Sequence, residues 1–367
     1  MAKKLASDRV LFVAVVLLVL TGLLMIYSAS AMQIYLPAAG APALPYFFLV
    51  KQGIAVLLGA GLMTGALLVD YRHLNRPRLI ALGLVVLAGT LVAVLFRSPI
   101  NGTRRWIDLG ILSVQPSEFA KLGLVVALAA FLSRRETEIA HPTRSLLPVA
   151  GLLAFFAGLV LLQPDFGTAV TYFVIAAAML FFAGLPFRWF ALATVLVLPT
   201  LTAYVLSAQY RRDRILAFLH PEADPLGKGF QAVQSLIAVG TGGLTGLGLG
   251  EGKQKLFFLP YPYTDFIYAI VGEELGLIGC VSVLALFGIV FARGIRAAAN
   301  APDSFGRLLG VGLSVMIVAQ ALVNISVVLA LLPTKGIPLP FLSYGGSALW
   351  TNLLAVGILL NLSQHAS

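Results

Sequence analysis

Ten apolar runs, each long enough to cross a membrane, dominate this sequence. A helix needs about 20 residues, rising 1.5 Å each, to span the hydrocarbon core. Hydrophobic residues make up 59% of the 367 and charged residues 11%, whereas soluble domains carry roughly 25% charged residues. We therefore predict an all-α polytopic membrane protein, a single integral membrane domain over residues 1–367 with about ten transmembrane helices. The runs cover residues 10–30, 48–69, 79–96, 117–133, 146–162, 167–185, 188–206, 266–292, 308–331 and 343–362.

The first run has two interpretations. Basic residues precede it and Ala29-Ser30-Ala31 follows it, as in a cleaved signal peptide. Its apolar core is too long for a signal peptide, so we expect a membrane anchor. The only cysteine, Cys280, lies within the eighth run, which excludes a disulfide framework and a cysteine-based metal site.

Lysine and arginine in the short loops predict the orientation, because they concentrate on the cytoplasmic side. A cytoplasmic N-terminus puts most of them inside, and an even number of helices then puts the C-terminus inside too. The longest loop, about 207–264 between the seventh and eighth helices, and the loop 332–342 would be extracytoplasmic. The inner residues would be Lys3, Lys4, Arg9, Arg72, Arg76, Arg78, Arg134, Arg135, Arg144, Arg188, Arg293, Arg296 and Arg307.

The long loop is basic and contains amphipathic pieces at 213–219 and 229–239, which predict helices in the membrane interface. Its charge suits solubility, lipid headgroups, or an anionic ligand such as a phosphate at the outer leaflet. Gly252-Lys253 is followed by Gln254 instead of Ser or Thr, so the glycine-rich stretch lacks a nucleotide-binding loop and we do not expect ATP-driven pumping. The basic residues are Arg211, Arg212, Arg214, Lys228, Lys253 and Lys255.

Ionisable residues at membrane depth are costly and usually mark function. In "QPSEFAK", Glu118 and Lys121 lie three residues apart, on one face of the fourth helix. Glu118 alone would suit a helix N-terminus, but Lys121 has no evident role except to pair with it. In "QPDFGTA", Asp165 follows Gln163 at the start of the sixth helix, where a capping role competes with a functional one.

Three further stretches carry charge at the predicted outer face. "NGTRRWIDLG" holds Arg104 and Arg105, with Trp106 expected in the aromatic belt. "LPTKGIPLPFLSYGGSALW" holds Lys335 and Ser343 between the last two helices. "LPYPYTDFIYAIVGEELG" holds three of the fifteen acidic residues, Asp265, Glu273 and Glu274. Since all these charges fall at one side of the membrane, we expect an extracytoplasmic site.

Together these motifs, with "YRRDRILAF" and "GKGFQAVQSLIAVGTGGLTGLGLG", resemble the SEDS family of RodA, FtsW and SpoVE, the cell-wall polymerases of shape, division and sporulation. The resemblance runs from about residue 10 to 362. It implies a ten-helix fold in the bacterial cytoplasmic membrane and glycosyl transfer on lipid II, the undecaprenyl-pyrophosphate-linked precursor. It also implies a class B penicillin-binding protein and other elongation or division proteins as partners, beside membrane lipids; no nucleic acid is expected.

Within the family, the motifs favour different arms. "GLGLGEGKQKLFFLP" and "LPTKG" resemble the division arm, whereas "RRWIDLG" and the short tails suit the elongation arm, and the balance favours a RodA-type assignment. Many relatives carry Glu-Ala-His before Thr-Asp-Phe, where this chain has Tyr261-Pro262-Tyr263. An acid and a histidine that could share the chemistry are therefore missing.

The resemblance assigns the chemistry to Asp265, whose carboxylate can take the proton of an attacking sugar hydroxyl. Pyrophosphate is already a good leaving group, so one carboxylate suffices if cations stabilise the phosphate charge. We expect Lys121, Glu118, Arg104, Arg105 and Lys335 to bind or orient the phosphates. Asp165, Gln163, Glu273, Glu274 and Ser343 are expected to support the cavity.

Three alternatives remain open from the sequence. Asp265 could instead hold a divalent cation, Mg²⁺ or Mn²⁺, against phosphate oxygens. A lipid II flippase would also need polar groups in a helix bundle and a basic outer surface. A non-enzymatic scaffold of the elongation or division machinery would not need buried charge. The clustering of charge at the outer boundary, rather than along a path through the midplane, favours the enzyme.

Overall fold

The computed structural model describes residues 7–30, 46–98, 103–108, 110, 113–207, 209–219, 229–256, 259, 262–334 and 336–365. Lys3, Lys4, Lys228, Tyr261 and Lys335 lie outside the described residues. The helices are α1 (Arg9–Ser30), α2 (Phe47–Leu68), α3 (Pro77–Leu95), α4 (Pro116–Ser133), α5 (Leu147–Leu162), α6 (Phe166–Phe182), α7 (Phe187–Leu206), α8 (Gln209–Leu219), α9 (Phe230–Thr241), α10 (Ile267–Ala299), α11 (Ser304–Val328) and α12 (Gly346–Gln364).

Eight helices in the described part of the chain are long and apolar enough to cross a membrane. They are α1 to α4, the segment Pro142–Leu162 that contains α5, and α10 to α12. Two shorter apolar helices, Phe166–Phe182 and Phe187–Leu196, coincide with the sixth and seventh predicted runs. The all-α polytopic membrane class is confirmed, while the count of ten spans stays a prediction.

Several helix starts follow from local chemistry. Pro77 and Pro116 occupy the first positions of α3 and α4, where a missing N–H costs nothing. Asp165 and Asp303 cap α6 and α11 by accepting hydrogen bonds from the N–H groups of Thr168 (3.1 Å) and Gly306 (2.7 Å). The capping interpretation of Asp165 is therefore correct, and a second role for it is compatible with the cap.

The interior of the bundle is formed by α4, α11 and α12, whose side chains are mostly buried. Helix α12 packs along α2, and α11 packs between α10, α4 and α6. Small residues allow close approach, as in many membrane bundles. A Cβ on Gly357 of α12 would lie 2.4 Å from the carbonyl oxygen of Met63 on α2.

Helix α10 is not one straight span, which the sequence did not predict. Gly276 has φ 66° and ψ −163°, so a short helical piece before it is set apart from the longer piece after it. Left-handed φ is readily available only to glycine. Glu273 and Glu274 thus belong to the short piece that begins just after Asp265, on the near side of the break.

Shorter elements connect the helices. Two strands, β1 (Ile107–Asp108) and β2 (Ser113–Val114), form an antiparallel ribbon before α4 that was not predicted. 3₁₀ turns cover Tyr71–Asn75 and Glu136–Glu138, and a π-helical turn covers Pro142–Leu146. The amphipathic pieces at 213–219 and 229–239 are helical, as α8 and α9.

The helix bundle has two ends, which we name after an aspartate at each. At one end, here named the Asp265 end, α1 and α11 finish and α4, α6, α10 and α12 begin. At the opposite end, named the Asp303 end, Asp8 accepts a hydrogen bond from Arg293 (2.6 Å) and Tyr71 donates one to Asp303 (2.5 Å). All the predicted site residues of α4, α6 and α10 lie toward the Asp265 end.

Candidate active site

Asp265 lies two residues before α10, and its backbone is held from several directions. The Nδ2 of Asn324 on α11 donates a hydrogen bond to the Asp265 carbonyl oxygen (2.7 Å). The hydroxyl of Ser343 donates to the Thr264 carbonyl (2.6 Å), and the N–H of Tyr344 donates to the Tyr263 carbonyl (2.9 Å). Helix α11 and the segment between α11 and α12 therefore hold the Asp265 backbone in place by hydrogen bonds.

The Asp265 carboxylate is partly buried and faces that same connection. A Cβ placed on Gly336 would lie 3.1 Å from Asp265 Oδ2, so the Gly336 backbone runs directly past the carboxylate. Burial raises the pKa of Asp265 to about 6, the positive charge of Arg105 lowers it, and the negative charge of Asp165 raises it. A carboxyl with a pKa near 6 is a good general base at neutral pH.

Arg105 is fixed against the corner between α5 and α6. Its Nε donates to the Gln163 carbonyl (3.0 Å), and a terminal nitrogen donates to the Pro164 carbonyl. Another terminal nitrogen lies 3.8 Å from Asp165 Oδ1, with the Arg105 side chain 19% exposed. The guanidinium is thus held in place while part of it still faces solvent.

Asp165 is more completely enclosed than Arg105. Its carboxylate accepts hydrogen bonds from the Thr168 hydroxyl (2.8 Å) and from Gln115 Nε2 (3.2 Å). Gln115 in turn donates its N–H to the Ser347 hydroxyl at the start of α12 (2.9 Å). Asp165 therefore joins the starts of α4, α6 and α12 and fixes the position of Arg105.

Glu118 and Lys121 form the predicted ion pair, with Nζ 2.8 Å from Oε2 and each side chain only 2% exposed. Lys121 also donates to Gln320 Oε1 (2.5 Å) on α11. Gln320 Nε2 donates to the Pro338 carbonyl (3.0 Å), within the connection that grips Asp265. Lys121 thus supports the site through Gln320, and direct phosphate binding by Lys121 stays a prediction.

Glu273 and Glu274 form a separate cluster with the loop before Asp265. Glu273 accepts hydrogen bonds from the N–H groups of Lys253 (2.7 Å) and Gln254 (3.2 Å). Glu274 forms a buried ion pair with Lys255 (2.7 Å). Lys255 is 5% exposed, so its charge is used within the protein by Glu274 and does not face a headgroup or an anionic ligand.

The structure brings some of the predicted site residues together and not others. Ser343 contacts the peptide next to Asp265, and the charges of Arg105 and Asp165 act on the Asp265 carboxylate. Gln163 holds Arg105, and Glu118 and Lys121 reach the site only through Gln320. Arg104 is exposed and donates to the carbonyl of Leu95 at the end of α3 (3.0 Å), so its phosphate role stays a prediction.

Three polar or small residues of the site were missed from the sequence. Gln320 and Asn324 are four apart in the apolar helix α11 and are 0% and 1% exposed. Two amides on one face of a membrane helix are a signal that could have identified them. Gly336 carried no such signal, because its importance depends on the nearby Asp265 carboxylate.

Aromatic side chains adjoin the peptide of Asp265. Phe48 and Tyr263 have ring centroids 4.6 Å apart, and Tyr344 lies 5.2 Å from Phe48 and 5.8 Å from Tyr263. Aromatic faces offer apolar area with fixed geometry. The three rings pack against one another beside the turn before α10.

The protein groups around Asp265 do not form a metal cage. Among the described residues, no group of three or more His, Cys, Asp and Glu could hold a metal ion. Mg²⁺ sites that use one or two carboxylates together with substrate phosphates do not need such a group. A metal-binding role of Asp265 therefore remains a proposal.

Comparison with known proteins places this geometry in a family. The model of the cell cycle protein family of FtsW, RodA and SpoVE matches residues 8–367. The chain belongs to this family. The predicted SEDS resemblance is thereby confirmed, and its motifs lie where the site has been described.

Relatives within the SEDS family are similar over almost their whole length. A probable peptidoglycan glycosyltransferase FtsW of Geobacter metallireducens is 42% identical over 98% of this chain and 95% of the relative. Stage V sporulation protein E of Bacillus subtilis is 42% identical over 99% of both chains. These names do not support the RodA-type assignment that the sequence favoured.

Solved structures agree with the fold. A chain from a structure on the coordination of polymerization and crosslinking by a peptidoglycan synthase complex has a TM-score of 0.78 and 33% identity, covering 98% of both chains. The rod shape determining protein RodA of Thermus thermophilus has a TM-score of 0.70 and 30% identity, covering 98% of this chain and 97% of RodA. The chain thus has the SEDS fold throughout.

Proposed function

We propose that this SEDS protein is a peptidoglycan glycosyltransferase that polymerises lipid II, with Asp265 as the general base. The observation that carries the proposal is the partly buried Asp265 carboxylate, whose pKa is raised to about 6 beside the fixed cation Arg105. Relatives of this chain in the same family include a probable peptidoglycan glycosyltransferase. The same carboxylate would have no evident purpose in a scaffold.

The proposed reaction needs one proton acceptor and stabilisation of a leaving phosphate. The 4-hydroxyl oxygen of one sugar forms a bond to the anomeric carbon of another, and the bond from that carbon to pyrophosphate breaks. Asp265 takes the hydroxyl proton as the new bond forms and later releases it to water. The pyrophosphate leaves with the bonding electron pair.

Fixed cations would stabilise the charge that develops on the pyrophosphate. Arg105 suits this role because two backbone carbonyls and Asp165 hold it while 19% of its side chain remains exposed. Lys335, next to Gly336, is a second cation proposed for this position. In the alternative in which Asp265 is a metal ligand instead of the base, it would hold a divalent cation that supplies this charge stabilisation.

Location and partners follow from the same proposal. We place the Asp265 end at the outer face of the bacterial cytoplasmic membrane, where lysine and arginine distribution puts it. The partner would be a class B penicillin-binding protein that crosslinks the new strand. The named relatives, FtsW and stage V sporulation protein E, favour a role with the division and sporulation members over the RodA-type assignment.

The experiment is polymerisation of purified lipid II by the purified wild-type chain in detergent, with and without a class B penicillin-binding protein. We expect glycan strands that grow with time on a gel. Detergent abolishes the two sides of the membrane, so a flippase has no detectable activity in this assay. If no strands form even with the partner present, the enzyme proposal fails and lipid II flipping becomes the better hypothesis.

A further inference from the structure

The cluster of Glu273, Glu274 and Lys255 is not part of the proposed proton transfer, yet it is among the most deeply buried sets of charge in the described residues. Glu273 is 1% exposed and Glu274 0%. Burying charge is costly unless each group is paired and hydrogen-bonded. We therefore expect these buried charges to have a role that an apolar contact could not fill.

The cluster sits where a glycine segment, residues 242–252, fills the break in α10. In an unbroken helix the N–H groups of Leu277 and Ile278 would donate to the carbonyls of Glu273 and Glu274. Here they donate to the carbonyls of Gly243 (2.9 Å) and Leu244 (3.2 Å). The freed carbonyls of Glu273 and Glu274 accept from the N–H groups of Leu247 (3.0 Å) and Gly248 (3.1 Å).

This backbone exchange requires glycine at the contact. A Cβ on Gly246 would lie 2.1 Å from the Glu274 carbonyl oxygen, and one on Gly242 would lie 1.9 Å from the Gly272 carbonyl oxygen. Gly246 also has φ 82°, in the left-handed region. The glycine segment can therefore approach the broken part of α10 this closely because Gly242 and Gly246 have no side chains.

Side-chain hydrogen bonds add to these backbone contacts between the glycine segment and α10. Glu274 Oε1 accepts from Lys255 Nζ (2.7 Å), and the Ser28 hydroxyl of α1 donates to the same carboxylate (2.7 Å). Glu274 Oε2 accepts from the N–H of Gly250 (3.1 Å), whose carbonyl accepts from Lys255 Nζ (2.6 Å). Every charged atom of the pair has a partner, as a stable buried pair needs.

The positions of this pair in the chain matter for the site. Lys255 and Glu274 join the two ends of a 20-residue segment, and Asp265 lies near its middle. On the other side, Asn324 and Ser343 hold the carbonyls of Asp265 and Thr264. Asp265 therefore lies in a segment whose ends the pair joins and whose middle is held by hydrogen bonds from Asn324 and Ser343.

We propose that Lys255 and Glu274, with Ser28 and Glu273, form a latch that positions Asp265 for reaction. They are positioning residues, since they reach the chemistry only through the backbone between them. The inference rests on the proposed function for its effect on rate, but the geometric part stands independently. Loosening the latch increases motion at Asp265, and misplacement of about 1 Å costs up to about 100-fold in rate.

The test uses the double variant Lys255→Met/Glu274→Gln in the full chain. Removing either charge alone would leave the other buried and unpaired, so a single variant could fail to fold. The double variant avoids this and keeps an amide for the hydrogen bonds of Ser28 and Gly250. The matched control is Arg307→Met/Glu136→Gln, which neutralises an exposed ion pair at the Asp303 end.

Two readouts separate the latch from the proposed function. We expect the double variant to exchange backbone amide hydrogens at residues 262–270 faster than the wild type, with an unfolding temperature still above that of the assay. In lipid II polymerisation, kcat should fall about 10- to 100-fold with little change in KM. The control pair should change neither.

The outcomes are distinguishable. Unchanged exchange and unchanged kcat in the folded double variant overturn the latch. Faster exchange with kcat unchanged also overturns it as a positioning device. If the wild type makes no glycan while the exchange difference appears, the proposed function fails and the geometric latch stands. Loss of activity only in proportion to unfolded protein would assign the pair to stability alone.

Discussion

The two ends of the helix bundle differ in how deeply their ion pairs are buried. At the Asp265 end, Glu118 and Lys121 are each 2% exposed. At the Asp303 end, Arg144 and Glu138 are 61% and 39% exposed. Exposed pairs are worth about 0–1 kcal/mol, whereas removing one partner of a buried pair costs about 3–5 kcal/mol. Charge is thus buried where the position of a side chain matters and left in solvent where it does not.

The burial of ion pairs at the Asp303 end also varies from pair to pair. Arg293 and Asp8, at the Asp303 end, form a pair that is 30% and 8% exposed. This pair joins α10 to the start of α1, and Asp8 also caps that helix. Intermediate burial therefore accompanies an architectural role, and the deepest burial accompanies the network around Asp265.

The largest expected effect is that of Lys121→Ala. The change leaves Glu118 buried without its cation and Gln320 without its donor, so the free energy of unfolding should fall by about 3–5 kcal/mol. Thermal unfolding in detergent measures this, and polymerisation should be abolished in the protein that stays folded. Lys121→Arg should retain part of the activity. A Lys121→Ala protein as stable and active as wild type would mean that the two ends do not differ.

The second prediction concerns pH. The pKa of Asp265 is raised to about 6 in the folded protein, above about 3.9 for a free carboxyl. Stability from this group is therefore fully present below about pH 4 and is lost as the pH rises through about 6, by about 3 kcal/mol in total.

Comparing the thermal unfolding of wild type and Asp265→Asn at several pH values isolates that contribution. The variant should gain stability over the wild type between about pH 4 and pH 7. The polymerisation rate of the wild type should fall below about pH 6, as the base becomes protonated. A stability difference that is independent of pH would show that Asp265 titrates normally and is not desolvated.

A smaller effect is expected from Gly336→Ala. The added methyl group would lie 3.1 Å from Asp265 Oδ2, so the carboxylate must shift by a few tenths of an ångström. We expect kcat to fall by less than about tenfold, since larger misplacements cost about 100-fold. Gly61→Ala is the control, because a Cβ there meets no atom within 4 Å. Equal activity of the two variants would place Gly336 away from the working carboxylate.

The smallest effect is expected at the Asp303 end. Arg144→Ala removes the exposed ion pair with Glu138 and should change the free energy of unfolding by less than about 1 kcal/mol. Added salt should reduce even that difference, because exposed pairs are screened. A loss as large as that of Lys121→Ala would contradict the comparison of the two ends.

The helices could be predicted from the sequence because apolar length alone specifies a spanning helix. The break at Gly276 could not, since a glycine inside an apolar run is common in membrane helices. Its consequence depends on the hydrogen bonds that the N–H groups of Leu277 and Ile278 donate to the carbonyls of Gly243 and Leu244, more than 30 residues earlier. Tertiary partners of this kind leave no local pattern.

The site was predictable to the same extent. Glu118 and Lys121 were paired correctly because they are three apart on one helix. Lys255 was grouped with the basic residues of the long loop, since nothing near it in sequence indicates Glu274 as its partner. Asp265 was proposed from its motif, whereas Gly336 and Gln320 are linked to it only by the folded segment between α11 and α12.

The most direct test of the central claim compares Asp265→Asn with Asp70→Asn in lipid II polymerisation in detergent. Both changes replace a carboxylate by an amide of the same shape, and Asp70 lies at the Asp303 end, where it caps a 3₁₀ turn. We predict that Asp265→Asn folds, binds lipid II and loses about 10²–10⁴-fold in rate. Asp70→Asn should stay within about twofold of the wild type. Polymerisation that persists undiminished in Asp265→Asn would contradict the assignment of the chemistry to this carboxylate.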